Sequence, residues 1–477
     1  MEKNKIEKVS TLTFIGMACA LVGSVRNVPD VAAAGWTLIF YLIVATFLFG
    51  LPIVLIAAEF SSMFQNDDGG LEHWVSMSLG NKWGFTASWL LWVQMFPAMV
   101  LMASSLPPLI GIIIKNATIG QNRLFTFIVI VSVYWIITFL NIKFDMVKIC
   151  GKIGIWFGLY IPLVIMTALG IMATIKVGIM PDNLLGNMSV KEFLPDSQTS
   201  QTIQYFTPII FIFIGQEMSA VYLKRLKNPA KSYLIGATSA LIFVFLLNIV
   251  NGLMLANVVS KTNIQLNNVA QCIEIYTRIL HLPSIIVNIF CVFVLIGIIV
   301  QISSWSIGPA KTVESSARRG LYPPRFKFWK ANENDVSEAI MFTQAVVISG
   351  FALLFLIIPN INNVIIILAN SSVLQYSIAY VIMGISIVKM RKTEPNKKRL
   401  FKIGSYKTLL AVVSVLMISI IISVIFTITS SSLKNAVLVI LVTLIMFILP
   451  FVIEKKRNKD WEVEVERLLN EDKTKSL

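Results

Sequence analysis

The sequence predicts an all-α membrane protein of twelve transmembrane helices, ten of them in a five-plus-five inverted repeat and two appended. Three observations lead there. The 477 residues are 56% hydrophobic, only 14% are charged and the mean hydropathy is +0.78, more apolar sequence than a single water-soluble core needs. The apolar residues come in repeated runs of roughly 20, the length that crosses a bilayer. Two runs five spans apart, the first and the sixth, are each broken near their middle by glycine and an ionisable residue.

The spans fall at about 10–35, 37–60, 84–112, 123–141, 149–175, 203–223, 232–258, 282–306, 338–358, 361–388, 408–428 and 435–453. Residues 1–9 form a short basic tail. The first span has no small-residue cleavage site behind it and is expected to stay as an uncleaved helix. It reads STLTFIGMACALVGSVRNVPDVAAAGW from Ser10 to Trp36. Gly23 favours non-helical backbone, and Pro29 lacks an amide donor. Arg26 at mid-bilayer would cost about 2.5–3.5 kcal/mol on insertion scales. An interrupted helix facing a cavity accounts for all three, because irregular backbone at that depth survives only in protein or beside water. A membrane surface at Arg26, with the arginine snorkelling, is the alternative.

The second span ends at Glu59, and Gly69-Gly70 opens a loop whose amphipathic segment suggests an interfacial helix before span three. Span three carries Trp89, Trp92 and Gln94; its aromatics are expected to pack rather than line a site. Span five opens with Lys148 and Lys152. The polar stretch Lys176–Thr202 is the longest outer connection. Span six reads FIFIG and then Gln216, Glu217, Met218, Ser219, and a carboxylate there again implies a cavity or a partner. Span eight ends IVQISSWSIGPA, with Gln301, Ser303, Ser304 and Trp305 in one polar-aromatic patch. Span ten holds Tyr376 and Tyr380, four apart and so on one helix face. Repeat one would run from 10 to 176, repeat two from 203 to 388 and the extra helices over 408–453. The charged tail, 454–477, is expected to be partly helical.

The net charge of +15 reports topology rather than nucleic acid. Seven of the 40 Lys and Arg residues lie in predicted outer loops (Lys115, Arg123, Lys176, Lys191, Lys261, Arg278, Lys434); apart from Arg26, the remainder fall on the other side. That bias places both termini in the cytoplasm, facing anionic lipid. The four cysteines (Cys19, Cys150, Cys272, Cys291) show neither CxxC spacing nor a cluster with His73 or His281, so no metal site and no disulfide framework is expected. No phosphate-binding GxxxxGK[ST] loop occurs, so ATP-driven transport is unsupported and no cofactor is expected.

Two broken helices at corresponding positions of two halves point to an inverted-repeat secondary transporter. The residues then carry a fuller resemblance. The chain resembles the amino acid–polyamine–organocation superfamily from about Leu12 to Pro450, and is most similar to its glutamate/γ-aminobutyrate antiporters and related amino acid/amine exchangers. The motifs are the interrupted first helix ending in Pro29, AAEF at Ala57–Phe60, DDGG…WVSMSLG…WGF from Asp67 to Phe85, GQEMSA…NP from Gly215 to Pro229, QISSWSIGPA at Gln301–Ala310 and KKRLFKI at Lys397–Ile403. The resemblance implies a LeuT-like fold, alternating access, and a substrate site where the first and sixth helices unwind. It implies that Gly23, Ser24 and Val25 offer amides to a substrate carboxylate, and that Ile214, Gly215 and Gln216 offer carbonyls to its amino group. Arg26, Gln301, Tyr376 and Tyr380 complete the implied binding set, with Asp30 and Glu217 in gating or proton-linked roles. Arg26 stands where those antiporters have tyrosine, and Gln301 where they have an acidic residue. Gly158 stands where proton-coupled members carry a lysine, which favours exchange over lysine-linked symport.

Three function classes can be set side by side. A secondary transporter exchanging amino acids or their amines, or else a proton-coupled permease, fits the pattern. Arg26 would then bind an acidic substrate, or pair structurally with Glu217 or Asp30. A membrane-embedded enzyme would need a nucleophile–base pair or metal ligands at depth, and only Arg26, Asp30 and Glu217 ionise there. A channel would need a filter or charged ring, which is missing, and a sensor would usually add a soluble domain. The partners expected are therefore a small amino acid or amine and membrane lipid.

Overall fold

The computed structural model of the chain describes residues 10–65, 70–144, 146, 156–195, 203–260, 263–430, 432–458 and 460–475. The basic tail, Asp67, Lys148, Cys150 and Lys152 lie outside these. Ten helices among the described residues are long and apolar enough to cross a membrane. The first and sixth spans supply the other two, each in pieces.

Span one is α1 (Thr11–Val22), a 3-10 turn at Val25–Asn27 and α2 (Val28–Ala32). α1 starts on an N-cap, the Ser10 side chain accepting from the Thr13 amide at 3.1 Å, which satisfies one of the donors that every helix start leaves open. Its end is set by Gly23, whose extended backbone leaves the helix and whose missing Cβ matters. A Cβ there would lie 2.6 Å from the Cys19 carbonyl oxygen and 2.8 Å from the Phe243 ring. Pro29 sits in the first turn of α2, where an amide donor is not missed. α3 follows (Gly35–Met63), then the expected interfacial helix α4 (Gly70–Leu79) and span three, α5 (Asn81–Ile113).

The first half continues with α6 (Arg123–Lys143) and α7 (Trp156–Val177). Span six is α8 (Phe206–Phe211), a kink, and a 3-10 run Gln216–Arg225. α9 (Pro229–Val258), the short α10 (Ala270–Leu280), α11 (Ile285–Arg318), α12 (Glu338–Ile357) and α13 (Ile361–Thr393) complete the second half. α14 (Tyr406–Ser430), α15 (Leu433–Lys455) and the tail helix α16 (Asp460–Lys475) follow.

Burial separates the layers. The most apolar stretches of α5 and α13 are 89% and 83% buried, against 22% for α15, so the first two run through the centre and the last lines the edge. The pieces of the broken spans meet in pairs: α2 touches α8, and α1 touches the 3-10 run. Both breaks therefore lie at one level, which is what the paired interruptions predict. Trp89 and Trp92 pack on each other, on Tyr322 and on Phe328, and the Trp89 indole donates to the Met446 carbonyl at 2.8 Å. They are packing residues, as expected.

On the face that carries the N-terminus, two motifs close on each other. Glu59, fully buried at the end of α3, takes a two-pronged contact from Arg391 of α13, a weaker one from Arg399 at 3.3 Å and the Ile403 amide at 2.8 Å. Ser62 adds a bond to the Phe401 carbonyl at 2.9 Å. A buried carboxylate costs several kcal/mol unless it is paired and hydrogen-bonded, and here its acceptor capacity is met.

Candidate functional site

The two breaks expose backbone, and each is finished by one aromatic side chain. At the first, the Trp305 indole of α11 donates to the Leu21 carbonyl at 3.3 Å, an acceptor that the end of α1 leaves open. At the sixth, Gly215 adopts φ +84°, a left-handed backbone that favours glycine, and its amide donates to the Tyr380 hydroxyl at 3.0 Å. A Cβ on Gly215 would lie 2.4 Å from the Trp305 ring, so the indole is packed onto bare backbone.

Between the breaks lies a cavity of about 50 Å³. Ser24, Arg26, Ile214 and Gln301 line it, all four expected from the sequence. Asn27, Gln94, Met99 and Met102 line it as well. Gln94 was legible as a lone amide in an apolar span, while nothing distinguished Met99 and Met102 from core methionines. Ligand pockets usually measure about 300–1,000 Å³, so this conformation is closed around room for a few waters. Trp305 is the largest side chain on its wall.

In the turn after Ser24 the Asn27 amide donates to the Ser24 carbonyl at 3.4 Å, and a helix start leaves the amides before it open, the arrangement that binds anions. Arg26 reinforces it. Its side chain is buried, donates to Asn27 and leaves Nε without a partner. Among the described residues it makes no ion pair within 4.0 Å. Asp30 lies close enough to act on it electrostatically. The structure thus leaves a buried guanidinium facing a cavity without a bonded carboxylate.

The other expected residues sit apart from the cavity wall. Gly23 and Val25 flank the break, Val25 buried in the core. The Gly215 and Gln216 carbonyls each accept one bond, from the Met218 amide at 3.0 Å and the Ser219 hydroxyl at 3.2 Å, which leaves each a second lone pair. Tyr376 and Tyr380 share a helix face as the spacing predicts, and that face meets Glu217. Both hydroxyls donate to its carboxylate, Tyr380 at 2.7 Å. Glu217 therefore has two phenols for partners, and the alternative that paired it with Arg26 is not what the structure shows. Asp30 is buried with one carboxylate oxygen unpartnered. Gly158 packs against Gly297 of α11, where a Cβ would lie 2.3 Å from the Gly297 Cα, so a lysine has no room there.

Comparison with known proteins decides the family. A family model described as amino acid permease matches residues 9–453. The chain belongs to the amino acid permease family. Its curated relatives include a glutamate/gamma-aminobutyrate antiporter of Lactococcus lactis subsp. lactis, 25% identical over 467 residues, covering 95% of this chain and 91% of the relative. A probable agmatine/putrescine antiporter of the same organism is 24% identical, with 90% and 89% covered. An uncharacterized transporter of Legionella pneumophila subsp. pneumophila is 28% identical, with 86% of each chain covered. Among solved structures, MhsT in complex with L-phenylalanine aligns with a TM-score of 0.58 at 15% identity, covering 90% of this permease and all of that chain. That likeness shows the fold, all-α and LeuT-like. The permease is a transporter, and the family points away from enzymatic chemistry.

Proposed function

We propose that this permease exchanges amino acids, or an amino acid for an amine, across a bacterial plasma membrane, with both termini in the cytoplasm. The substrate would bind at the cavity between the broken spans. The observation that carries the proposal is Arg26, a buried guanidinium at the cavity wall with no bonded carboxylate among the described residues. With the open amides after Ser24 it makes two anion-seeking features on one wall, which suits a substrate with a side-chain carboxylate besides its α-carboxylate. Gln94 and Gln301 line the same cavity and supply neutral donors and acceptors. The relatives named for glutamate, γ-aminobutyrate, agmatine and putrescine support an amino acid or amine substrate.

Exchange is supported by the packing at Gly158 and Gly297, which leaves no space for a lysine between α7 and α11. Alternating access then requires Trp305 to move off Gly215, because the cavity as it stands admits no amino acid. Counterflow into proteoliposomes loaded with a panel of unlabelled amino acids and amines tests the proposal. Uptake of labelled glutamate driven by internal glutamate or a related substrate supports it. Uptake that needs a proton gradient and no internal substrate would identify a proton-coupled permease instead.

A further inference from the structure

A second, larger cavity lies on the face opposite the N-terminus. It measures about 530 Å³ and sits between the end of α5, the short α10 and the start of α11. Its charged lining is Lys115, Glu274 and Arg278, and Ser284 and Asn288 add polar groups. Among the described residues none of the three charged side chains makes an ion pair within 4.0 Å. The neighbouring Lys176 is occupied, donating to the Ile279 carbonyl at 2.7 Å. Glu274 is half-buried; burial raises its pKa, and the Arg278 charge acts against that rise. A carboxylate losing water in this way gains from a cation that comes close.

The flank of the cavity is apolar and exposed. Ile285, Ile289 and Val292 form a stripe at i, i+4 and i+7 along α11, 56%, 44% and 44% exposed, directly beside Ser284 and Asn288. Ile114, next to Lys115, is 54% exposed. On a membrane-spanning helix such a stripe faces acyl chains. A dissolved zwitterion has no use for it, whereas a phospholipid does.

We infer that this cavity holds the headgroup of a zwitterionic phospholipid of the phosphoethanolamine type, with its acyl chains along the α11 stripe. Lys115 and Arg278 hold the phosphate, and Glu274 takes the primary ammonium. Two cations and one carboxylate match one phosphate and one ammonium, and the volume lies within the range of ligand pockets. Phosphatidylglycerol lacks the ammonium, and phosphatidylcholine offers no N–H to Glu274.

Native mass spectrometry of the full-length detergent-purified protein, titrated with the three lipids at equal acyl composition, tests this. The expected result is one phosphatidylethanolamine retained several-fold more tightly than the other two. Glu274→Gln should abolish that preference, while Lys115→Gln with Arg278→Gln should weaken retention of all three by several-fold. Unaltered thermal unfolding in each variant shows that folding is intact; Lys115 and Arg278 are exposed and their removal leaves packing untouched. Retention of phosphatidylethanolamine by all variants at the wild-type level would overturn the inference. So would displacement of the lipid by dissolved phosphoethanolamine at equal concentration, which would assign the cavity to a soluble zwitterion.

Discussion

Glu59→Gln should destabilise the permease more than any exposed charge substitution. The carboxylate is fully buried, Arg391 is buried as well, and Arg399 also reaches it. Glutamine keeps the shape and removes the negative charge, leaving two guanidiniums and the Ile403 amide around a neutral group. Breaking a buried pair by removing one partner typically costs about 3–5 kcal/mol. At about 2.1 cal/mol/K per residue, 477 residues carry an unfolding entropy of about 1 kcal/mol/K, so Tm should fall by roughly 3–5 °C. The cost arises from an uncompensated charge, so removing the opposite charge as well should recover part of it. Arg391→Gln alone should cost a similar amount, and the double variant should be more stable than the sum of the two losses by about 1.5 kcal/mol or more. Thermal unfolding of the detergent-purified variants followed by tryptophan fluorescence reads all three. Additive losses, or a Glu59→Gln shift under 1 °C, would refute the reasoning.

Arg26→Ala should reduce exchange of acidic substrates at least tenfold, with membrane insertion unchanged; wild-type uptake kinetics in that variant would remove Arg26 from the site. Tyr376→Phe and Tyr380→Phe each delete a bond to Glu217. Bonds to charged groups are worth about 1.5–3 kcal/mol, and because neither tyrosine lines the cavity, turnover should fall while KM stays within about twofold. A raised KM at normal turnover would place the tyrosines on the substrate. Gly297→Ala puts a Cβ 2.5 Å from the Gly158 Cα, where only backbone can yield. Overpacking of this kind costs about 1–3 kcal/mol, so unchanged thermal unfolding would contradict the close α7–α11 approach.

Much of this architecture was readable because the bilayer exacts a visible signature. Gly23, Arg26, Pro29 and Glu217 stand out in apolar runs, and the breaks fall where they predict. The same logic placed Arg26 at a cavity, whereas Ser24, Ile214 and Gln301, which also line it, were expected there from the family resemblance. What sequence left open is what a face meets. The spacing of Tyr376 and Tyr380 puts them on one side of α13, but only the fold shows that this side meets Glu217 rather than the cavity. The Glu59–Arg391 contact joins residues in opposite halves of the chain, and no local pattern announces it. Met99 and Met102 carry no signal, since an apolar cavity wall and an apolar core use the same side chains.

Efflux of labelled substrate from proteoliposomes, measured with and without unlabelled substrate outside and with no ion gradient, tests the exchange claim most directly. The account predicts slow efflux into empty buffer and acceleration of at least tenfold when external substrate is added, lost in Arg26→Ala. Equal efflux under both conditions would contradict it, because a carrier that returns empty as readily as loaded is not an obligate exchanger.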